Sequence, residues 1–211
     1  VAVLLPDGPG VHIALAACEK AGVVAMGIGP RAGRRGIEHL IGLSRASALI
    51  SRPVHGDLPM AEIVGSLANR ALPLKHHITT EGEFVPGEPV WINGELAPES
   101  GPTPPPNRTM GVRELFLLNS TSGTTSMPKC VTHDQARWQA FHDLAVEAGQ
   151  LTSDDVFMSV VPAPFGFGIW TSHFTPTLLG VPCVVMPRFA PDDALALIQQ
   201  HRVSVLAAVS T

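Results

Sequence analysis

The sequence predicts an α/β fold in which parallel sheets are flanked by helices, and three observations lead to this prediction. Short apolar, β-branched runs alternate with helical stretches along residues 1–79. This β-α-β alternation is typical of parallel sheets, because each parallel pair of strands needs a crossover. The alternation is interrupted and then resumes at residues 113–211, which indicates a second α/β lobe. The composition, 45% hydrophobic and 15% charged, supplies enough apolar side chains for a buried core.

The first lobe is predicted to cover residues 1–79. Its strands are predicted at residues 1–5, 23–28, 48–51 and 76–79, and its helices at residues 9–21, 34–44 and 60–70. Asp7 is expected to cap the first helix, Pro9 lies in its first turn and Gly22 ends it. These signals predict a parallel sheet with helices on its faces.

The alternation is interrupted over residues 80–112, which are rich in proline and glycine. The run Pro104-Pro105-Pro106 lies within this stretch. Such a composition predicts an irregular connection between the lobes or a long surface loop. A polyproline ligand for another domain remains an alternative interpretation.

The second lobe is predicted to cover residues 113–211 and to be incomplete. Its strands are predicted at residues 114–119, 155–161, 181–186 and 203–209, and its helices at residues 134–148, at 171–179 and from 191 onward. A polar loop is predicted at residues 120–129, directly after an apolar strand. The second lobe therefore carries the loop with the strongest indication of chemistry.

Composition and charge make several classes of function improbable. The formal net charge is −4 without a basic cluster, which argues against nucleic-acid binding. No run approaches the about 18 apolar residues that a membrane span needs. The three cysteines are far apart and form no C-x-x-C pair, so we expect neither disulfides nor a zinc site, and we expect a reducing, cytoplasmic location. The nine histidines show no metal-ligand spacing, so no protein metal site is predicted.

The segment from Asn119 to Val131 has the composition of a loop that binds phosphate groups. It combines six hydroxyl side chains with Gly123 and Lys129. Polyphosphates are bound by backbone N–H groups, short hydroxyl donors and a mobile cation, and glycine lets the main chain approach the anion. The spacing differs from a Walker loop, because no second glycine precedes the lysine. By composition alone, a Ser/Thr-rich surface turn remains an equal alternative.

The order of residues in this loop resembles a known signature. Thr121-Ser122-Gly123-Thr124-Thr125, followed by Pro128-Lys129, is similar to the phosphate loop T-S-G-T-T-G-x-P-K-G-V of the adenylate-forming, or AMP-binding, superfamily. This superfamily includes acyl-CoA synthetases, nonribosomal adenylation domains and luciferases. Seven fixed positions match in one ungapped run. Ser126 and Cys130 stand where the usual pattern has glycine.

The resemblance extends beyond the loop along most of the chain. Residues 1–22 and 38–51 resemble the family's first strands and helices, and residues 178–203 resemble its later ones. Residues 162–168 are similar to the region where many members read P-x-x-H-x-x-G. Only the proline-rich stretch near residues 80–110 is unmatched. The fold that the resemblance implies is a pair of flavodoxin-like lobes of an adenylate-forming N-terminal domain, the second one truncated.

The resemblance also implies a set of site residues. The residues expected to bind the ATP phosphates are Thr121, Ser122, Gly123, Thr124, Thr125 and Lys129. Among these, Lys129 and Thr124 are expected to act in catalysis by stabilising the departing pyrophosphate. The cofactors implied are ATP, Mg²⁺ and CoA, and the substrate is a small carboxylic acid.

A second set of residues is expected to form the acid pocket. Phe165 stands where many family members carry a histidine or an aromatic residue, and Gly166 and Phe167 follow it. A phenylalanine there favours an apolar or aromatic acid. The alternative is that Phe165, Phe167 and Trp170 are ordinary core residues.

The function that the resemblance implies is an ATP-dependent acyl-CoA ligase of which this chain is a fragment. The family's adenine-binding strand, ribose-binding Asp and C-terminal Lys have no match here, so the chain alone is expected to be inactive. One alternative is an adenylation domain that loads a carrier protein instead of CoA. Another is a non-catalytic protein that binds a nucleotide or a partner. An exposed strand edge also predicts self-association of the chain.

Overall fold

A computed structural model describes residues 1–70, 72–98, 108–121 and 127–210 of the chain. Within these residues the strands are β1 (Ala2–Leu4), β2 (Ala25–Gly27), β3 (Ala48–Ser51), β4 (Val54–His55), β5 (Leu58–Pro59), β6 (His76–Thr79), β7 (Trp91–Ile92), β8 (Glu95–Leu96), β9 (Leu115–Ser120), β10 (Cys130–Asp134), β11 (Phe157–Ser159), β12 (Cys183–Val184) and β13 (Val205–Ala207). The α-helices are α1 (Pro9–Lys20), α2 (Arg34–Ser44), α3 (Met60–Ala68), α4 (Gln135–Gly149), α5 (Gly166–Ile169), α6 (Thr175–Leu179) and α7 (Pro191–His201).

The described strands form two main sheets and a short hairpin. The large sheet has the order β10-β9-β2-β1-β3-β6-β7-β8, and the small sheet has the order β12-β11-β13. The five central strands of the large sheet, from β9 to β6, are parallel, and all three strands of the small sheet are parallel. This architecture confirms the predicted α/β class with helices packed on parallel sheets.

Both faces of the large sheet are covered because alternate residues of each strand point to opposite sides. On one face Val3 packs in a cluster with Val11 and Ala14 of α1. On the other face Leu4 packs in a cluster with Ile37 and Ile41 of α2. This explains why the β1 residues Ala2, Val3 and Leu4 are all apolar and all buried. A separate cluster around Met158, Met186 and Ala194 holds α7 against the small sheet.

The strand β9 lies in the large sheet, beside β2, rather than in the second sheet. Its register pairs Ala25 with Leu117 and Gly27 with Asn119. Along the described chain, the last strand of the large sheet is therefore β10. A long-range strand pairing of this kind leaves no local pattern in the sequence. The division into lobes 1–79 and 113–211 stays a prediction.

The proline- and glycine-rich connection is more regular than predicted. Strands β7 and β8 form a hairpin that extends the large sheet, with Ile78 of β6 opposite Ile92. The turn residues Asn93 and Gly94 have φ of 54° and 87°, as a tight hairpin turn requires. The dipeptide Asn93-Gly94 was the available signal for this hairpin. Residues 99–107, with the triple proline, lie outside the described part.

Two predictions about helices need correction. The residue that caps α1 is Gly8, and the Asp7 side chain makes no capping hydrogen bond. The helix predicted at residues 171–179 begins earlier, since α5, the π-helical segment Trp170–Phe174 and α6 follow one another without a break. In the described part of the chain, no helix is long and apolar enough to cross a membrane.

Candidate functional site

The predicted phosphate loop leaves the sheet between two antiparallel strands. Strand β9 ends at Ser120, and β10 returns from Cys130, the residue paired with it. The Thr121 N–H donates to the Lys129 carbonyl oxygen at 2.9 Å. The Lys129 N–H donates to Thr121 Oγ1 at 3.0 Å. These two hydrogen bonds close the base of the loop, so both ends are held by the sheet.

A third contact holds the loop base against helix α2. His39 Nε2 donates to the Pro128 carbonyl oxygen at 3.0 Å. The sequence reasoning missed His39, because it lies 89 residues from Pro128 and belongs to no loop motif. This contact joins the loop to the helix that covers one face of the large sheet.

The structure places only part of the predicted phosphate-binding set. Thr121 and Lys129 form the base of the loop, and the Lys129 side chain is exposed. Within the described ranges, the Lys129 ammonium group makes no ion pair and no side-chain hydrogen bond, so it is available to an anion. Ser122, Gly123, Thr124 and Thr125 lie outside the described residues, and their assignment stays a prediction.

Asn119 connects the strand before the loop to the turn after β11. Its Nδ2 donates to the Pro164 carbonyl oxygen at 2.9 Å, and the residue is buried. Its Oδ1 is buried and has no hydrogen-bond partner. A buried amide oxygen without a partner costs free energy, and such atoms often lie at ligand sites. From the sequence, Asn119 was predicted to end the strand and to begin the loop segment, and it was given no role in the site.

The turn Pro162–Phe165 brings the first two predicted pocket residues next to Asn119. A Cβ on Gly166 would lie 3.8 Å from Asn119 Oδ1. The Phe165 ring packs over Gly29, where a Cβ would meet Phe165 Cζ at 2.8 Å. Phe165 therefore lies where the chain leaves β2, beside the strand that leads into the loop.

Phe167, the third predicted pocket residue, makes a different contact. Its ring lies edge-on to Trp170, with 6.0 Å between the ring centroids, and it is 40% exposed. Phe165 and Gly166 are thus brought together with the residues before the loop. The described contacts of Phe167 are with the helix that follows.

The same turn is tied to the first strand of the large sheet by a buried carboxyl group. The Ala163 N–H donates to Asp7 Oδ1 at 3.0 Å, and Asp7 is only 7% exposed. Burial raises the pKa of Asp7 to about 6, because the charged form loses its hydration, while the hydrogen bond from Ala163 acts in the opposite direction. Asp7, expected to cap a helix, instead fixes the turn that carries Phe165.

The site is therefore a loop with a free lysine, at the carboxyl end of a parallel strand, beside a turn that presents an aromatic ring. Ligands of parallel α/β sheets bind at this edge. Comparison with known proteins agrees with this description: the model of the AMP-binding enzyme family matches residues 1–211. The chain belongs to the AMP-binding enzyme family, which confirms the resemblance drawn from the loop motif.

The chain is also similar to curated members of this family. It is 31% identical over 215 residues to a feruloyl-CoA synthase of Amycolatopsis sp, covering 100% of this chain and 38% of that protein. It is 30% identical over 219 residues to a salicyl-AMP ligase / salicyl-S-ArCP synthetase of Mycobacterium tuberculosis, covering 99% of this chain and 36% of that protein. The chain thus spans little more than a third of the length of these relatives.

Solved structures share the fold at lower sequence identity. An O-succinylbenzoate coenzyme A synthetase from Bacillus subtilis in complex with AMP superposes with a TM-score of 0.76 at 20% identity. The match covers 99% of this chain and 48% of that one. The same enzyme in complex with ATP and magnesium ion superposes with a TM-score of 0.72 at 18% identity, over 97% of this chain and 48% of that one.

Proposed function

We propose that the protein containing this chain is an ATP-dependent acyl-CoA ligase. It activates a carboxylic acid as acyl-AMP with release of pyrophosphate, and then forms the CoA thioester. The observation that supports this most directly is the loop base, where two hydrogen bonds hold Lys129 beside Thr121 at the end of β9. Membership of the AMP-binding enzyme family supports the same reaction class.

The proposed reaction needs no nucleophile from the protein. A carboxylate oxygen of the acid attacks the α-phosphorus of ATP, and the bond from that phosphorus to the bridging oxygen breaks. Pyrophosphate leaves with the electron pair. In the second step the CoA thiol gives its proton to water, its sulfur attacks the acyl carbonyl carbon, and AMP leaves with the electron pair of the broken acyl C–O bond.

The role of this chain is to hold and neutralise the departing phosphates. Lys129 supplies a compact positive charge near the β- and γ-phosphate oxygens, and the hydroxyl groups of Thr121, Ser122, Thr124 and Thr125 supply donors. Gly123 lets the backbone approach. Mg²⁺ bound to the phosphates offsets further negative charge. Preorganised charges of this kind stabilise the transition state more than the ground state.

The substrate proposed is a small apolar or aromatic carboxylic acid. Phe165 packs on Gly29, and Gly166 lies beside Asn119. The apolar ring of the turn and the unpartnered amide oxygen of Asn119 therefore lie next to the strand that leads into the loop. The relatives named for feruloyl and salicyl substrates are in keeping with an aromatic acid. Phe167 is proposed as a more distant member of this pocket.

A second candidate function is the loading of a carrier protein instead of CoA. The similarity to a salicyl-AMP ligase / salicyl-S-ArCP synthetase is the observation that favours it. Both candidates share the first half-reaction. Incubating the acyl-AMP product with CoA or with a carrier protein, and detecting the thioester by mass spectrometry, distinguishes them.

The proposal is tested by replacing the loop lysine in the full-length protein. We expect Lys129→Ala to slow acid-dependent pyrophosphate release by about 100-fold, as for the loss of one preorganised group that stabilises transition-state charge. The matched control is Lys75→Ala, since Lys75 is also exposed but follows α3, away from the loop. An unchanged rate in Lys129→Ala, with several acids, would remove Lys129 from the site. The 211-residue chain alone is expected to release no pyrophosphate.

A further inference from the structure

The peptide unit between Pro128 and Lys129 is hydrogen-bonded at both of its polar atoms. Its carbonyl oxygen accepts from His39 Nε2 at 3.0 Å, and its N–H donates to Thr121 Oγ1 at 3.0 Å. The next peptide unit is held as well, since the Lys129 carbonyl oxygen accepts from the Thr121 N–H at 2.9 Å. Because peptide units are planar, these three bonds together fix the direction in which the Lys129 side chain leaves the loop.

His39 gives the loop a support that its two ends cannot give each other. The two bonds between Thr121 and Lys129 join the ends of the loop, so they keep its base closed. The bond from His39 connects this closed base to α2, a separate element that lies 89 residues before Pro128 in the chain. It therefore holds the Pro128 carbonyl group in place relative to the sheet face that α2 covers.

Helix α2 is a firmly held support for His39. Its residues on the sheet side are almost fully buried in one apolar cluster: Ile37, Leu40 and Ile41. Cys130, the residue after Lys129, packs against the same cluster. On the other side, Ser66 Oγ of α3 donates to Glu38 Oε1 at 3.1 Å. Groups on such packed elements are placed more precisely than groups on loops.

We propose that His39 is a positioning residue for Lys129, acting through the Pro128 carbonyl oxygen. This inference rests on the proposed function, because the group it orients is the ammonium that neutralises the departing pyrophosphate. Small errors in the placement of a charge lower the rate, since the charge must meet the one that develops in the transition state. The role requires a hydrogen on Nε2, because a carbonyl oxygen can only accept.

The test compares two replacements of His39 in the full-length protein. His39→Leu has no N–H donor, whereas His39→Gln keeps one. We expect His39→Leu to lower kcat for acid-dependent pyrophosphate release about tenfold with the KM for the acid unchanged, as for the loss of one hydrogen bond. His39→Gln should recover most of this rate. His76→Leu is the matched control, because His76 is exposed on β6, and β2, β1 and β3 lie between β6 and β9.

A second comparison separates positioning from a general effect on the fold. In the Lys129→Ala protein, His39→Leu should cause no further fall in kcat, because the group that it orients is missing. Cleavage by trypsin gives a readout that does not depend on activity. Trypsin cleaves after Lys129 when the backbone opens locally, so His39→Leu should speed this cleavage about threefold. Cleavage after Lys75 should stay unchanged, as measured by mass spectrometry.

The two proposals fail in different ways. If Lys129→Ala slows pyrophosphate release and His39→Leu does not, His39 has no positioning role and the ligase proposal stands. If His39→Leu slows release equally with and without the lysine, its effect is on the fold in general, and the inference is overturned. If release is unchanged in Lys129→Ala, the role of the lysine fails, and the role of His39 fails with it.

Discussion

Asp7 connects β1 to the turn that carries Phe165 through a single hydrogen bond to the Ala163 N–H. Its carboxyl group is almost fully buried, and burial raises its pKa to about 6. The unfolded chain has an aspartate pKa near 4. Between these two values the folded protein holds a proton that the unfolded chain has lost, so folding stability falls as pH rises from about 4 to about 6.

We expect Asp7→Asn to remove this pH dependence while keeping an oxygen that accepts from Ala163. Relative to the variant, the wild-type protein should lose roughly 3 kcal/mol of unfolding free energy between pH 4 and pH 7, from the shift of two pKa units. Urea unfolding of both proteins at several pH values measures the difference. If the unfolding free energies of the two proteins changed with pH by the same amount, Asp7 would not titrate in this range.

The comparison with the variant is needed because two histidines act in the opposite sense. His12 and His173 face each other with 3.2 Å between their Nδ1 atoms. Burial lowers the pKa of each to about 4, and for His12 the neighbouring His173 adds to the effect. The contribution of these two groups to folding stability is therefore lost as pH falls from about 6.5 to about 4. Both histidines are present in both proteins. Subtracting the unfolding free energy of Asp7→Asn from that of the wild-type protein at each pH therefore removes their contribution.

At the scale of elements, the turn Pro162–Phe165 and the helix after it are packed with almost no spare room. A Cβ on Gly168 would be much closer to the Pro162 carbonyl oxygen than van der Waals contact allows. Because this oxygen belongs to the backbone, no side-chain rotation can relieve the clash. A Cβ on Gly27 would lie 3.1 Å from Pro164. These glycines let the helix α5 and the strand β2 close on the turn, which sets the position of Phe165.

We expect Gly168→Ala to destabilise the protein by about 3 kcal/mol, because the turn or the helix must move to admit the methyl group. The control is Gly36→Ala, since Gly36 lies in α2 and its added Cβ would make only an ordinary contact at 3.9 Å. That change should be neutral or slightly stabilising, because alanine favours helix over glycine. Thermal unfolding of the two variants measures both effects, and equal melting temperatures would contradict the packing argument.

At the scale of the whole molecule, β13 is an edge strand of the small sheet among the described strands. Leu206 in this strand is 51% exposed, and Val209 after it is 60% exposed. Unpaired strand edges with apolar side chains pair readily with other strands. The interpretation made from the sequence, that the chain self-associates, therefore has a definite surface in the structure.

We expect the apparent mass of the 211-residue chain to rise with concentration in light scattering. Leu206→Lys should reduce this rise, because a charge on an edge strand opposes pairing. Leu144→Lys serves as the control, since Leu144 is 62% exposed on α4 and lies away from the edge. A monomer whose mass is independent of concentration would contradict the prediction.

Much of the first lobe was predictable because its signals are local. The helix α2 and the strands β3 and β6 begin and end at the predicted residues, where apolar runs are bounded by turn residues. The hairpin of β7 and β8 was missed although Asn93-Gly94 marked it, because the surrounding prolines suggested irregular structure. Strand β9 was predicted correctly as a strand, but its place beside β2 was not.

The sequence by itself determined the fold class, the family and the loop that contains Lys129, because each depends on residues close together in the chain. Only the tertiary structure decided that His39 holds Pro128 and that Asn119 and Asp7 hold the turn before Phe165. These contacts join residues as much as 156 positions apart. Long-range contacts follow from how the sheets and helices pack, and a single sequence carries no local pattern for them.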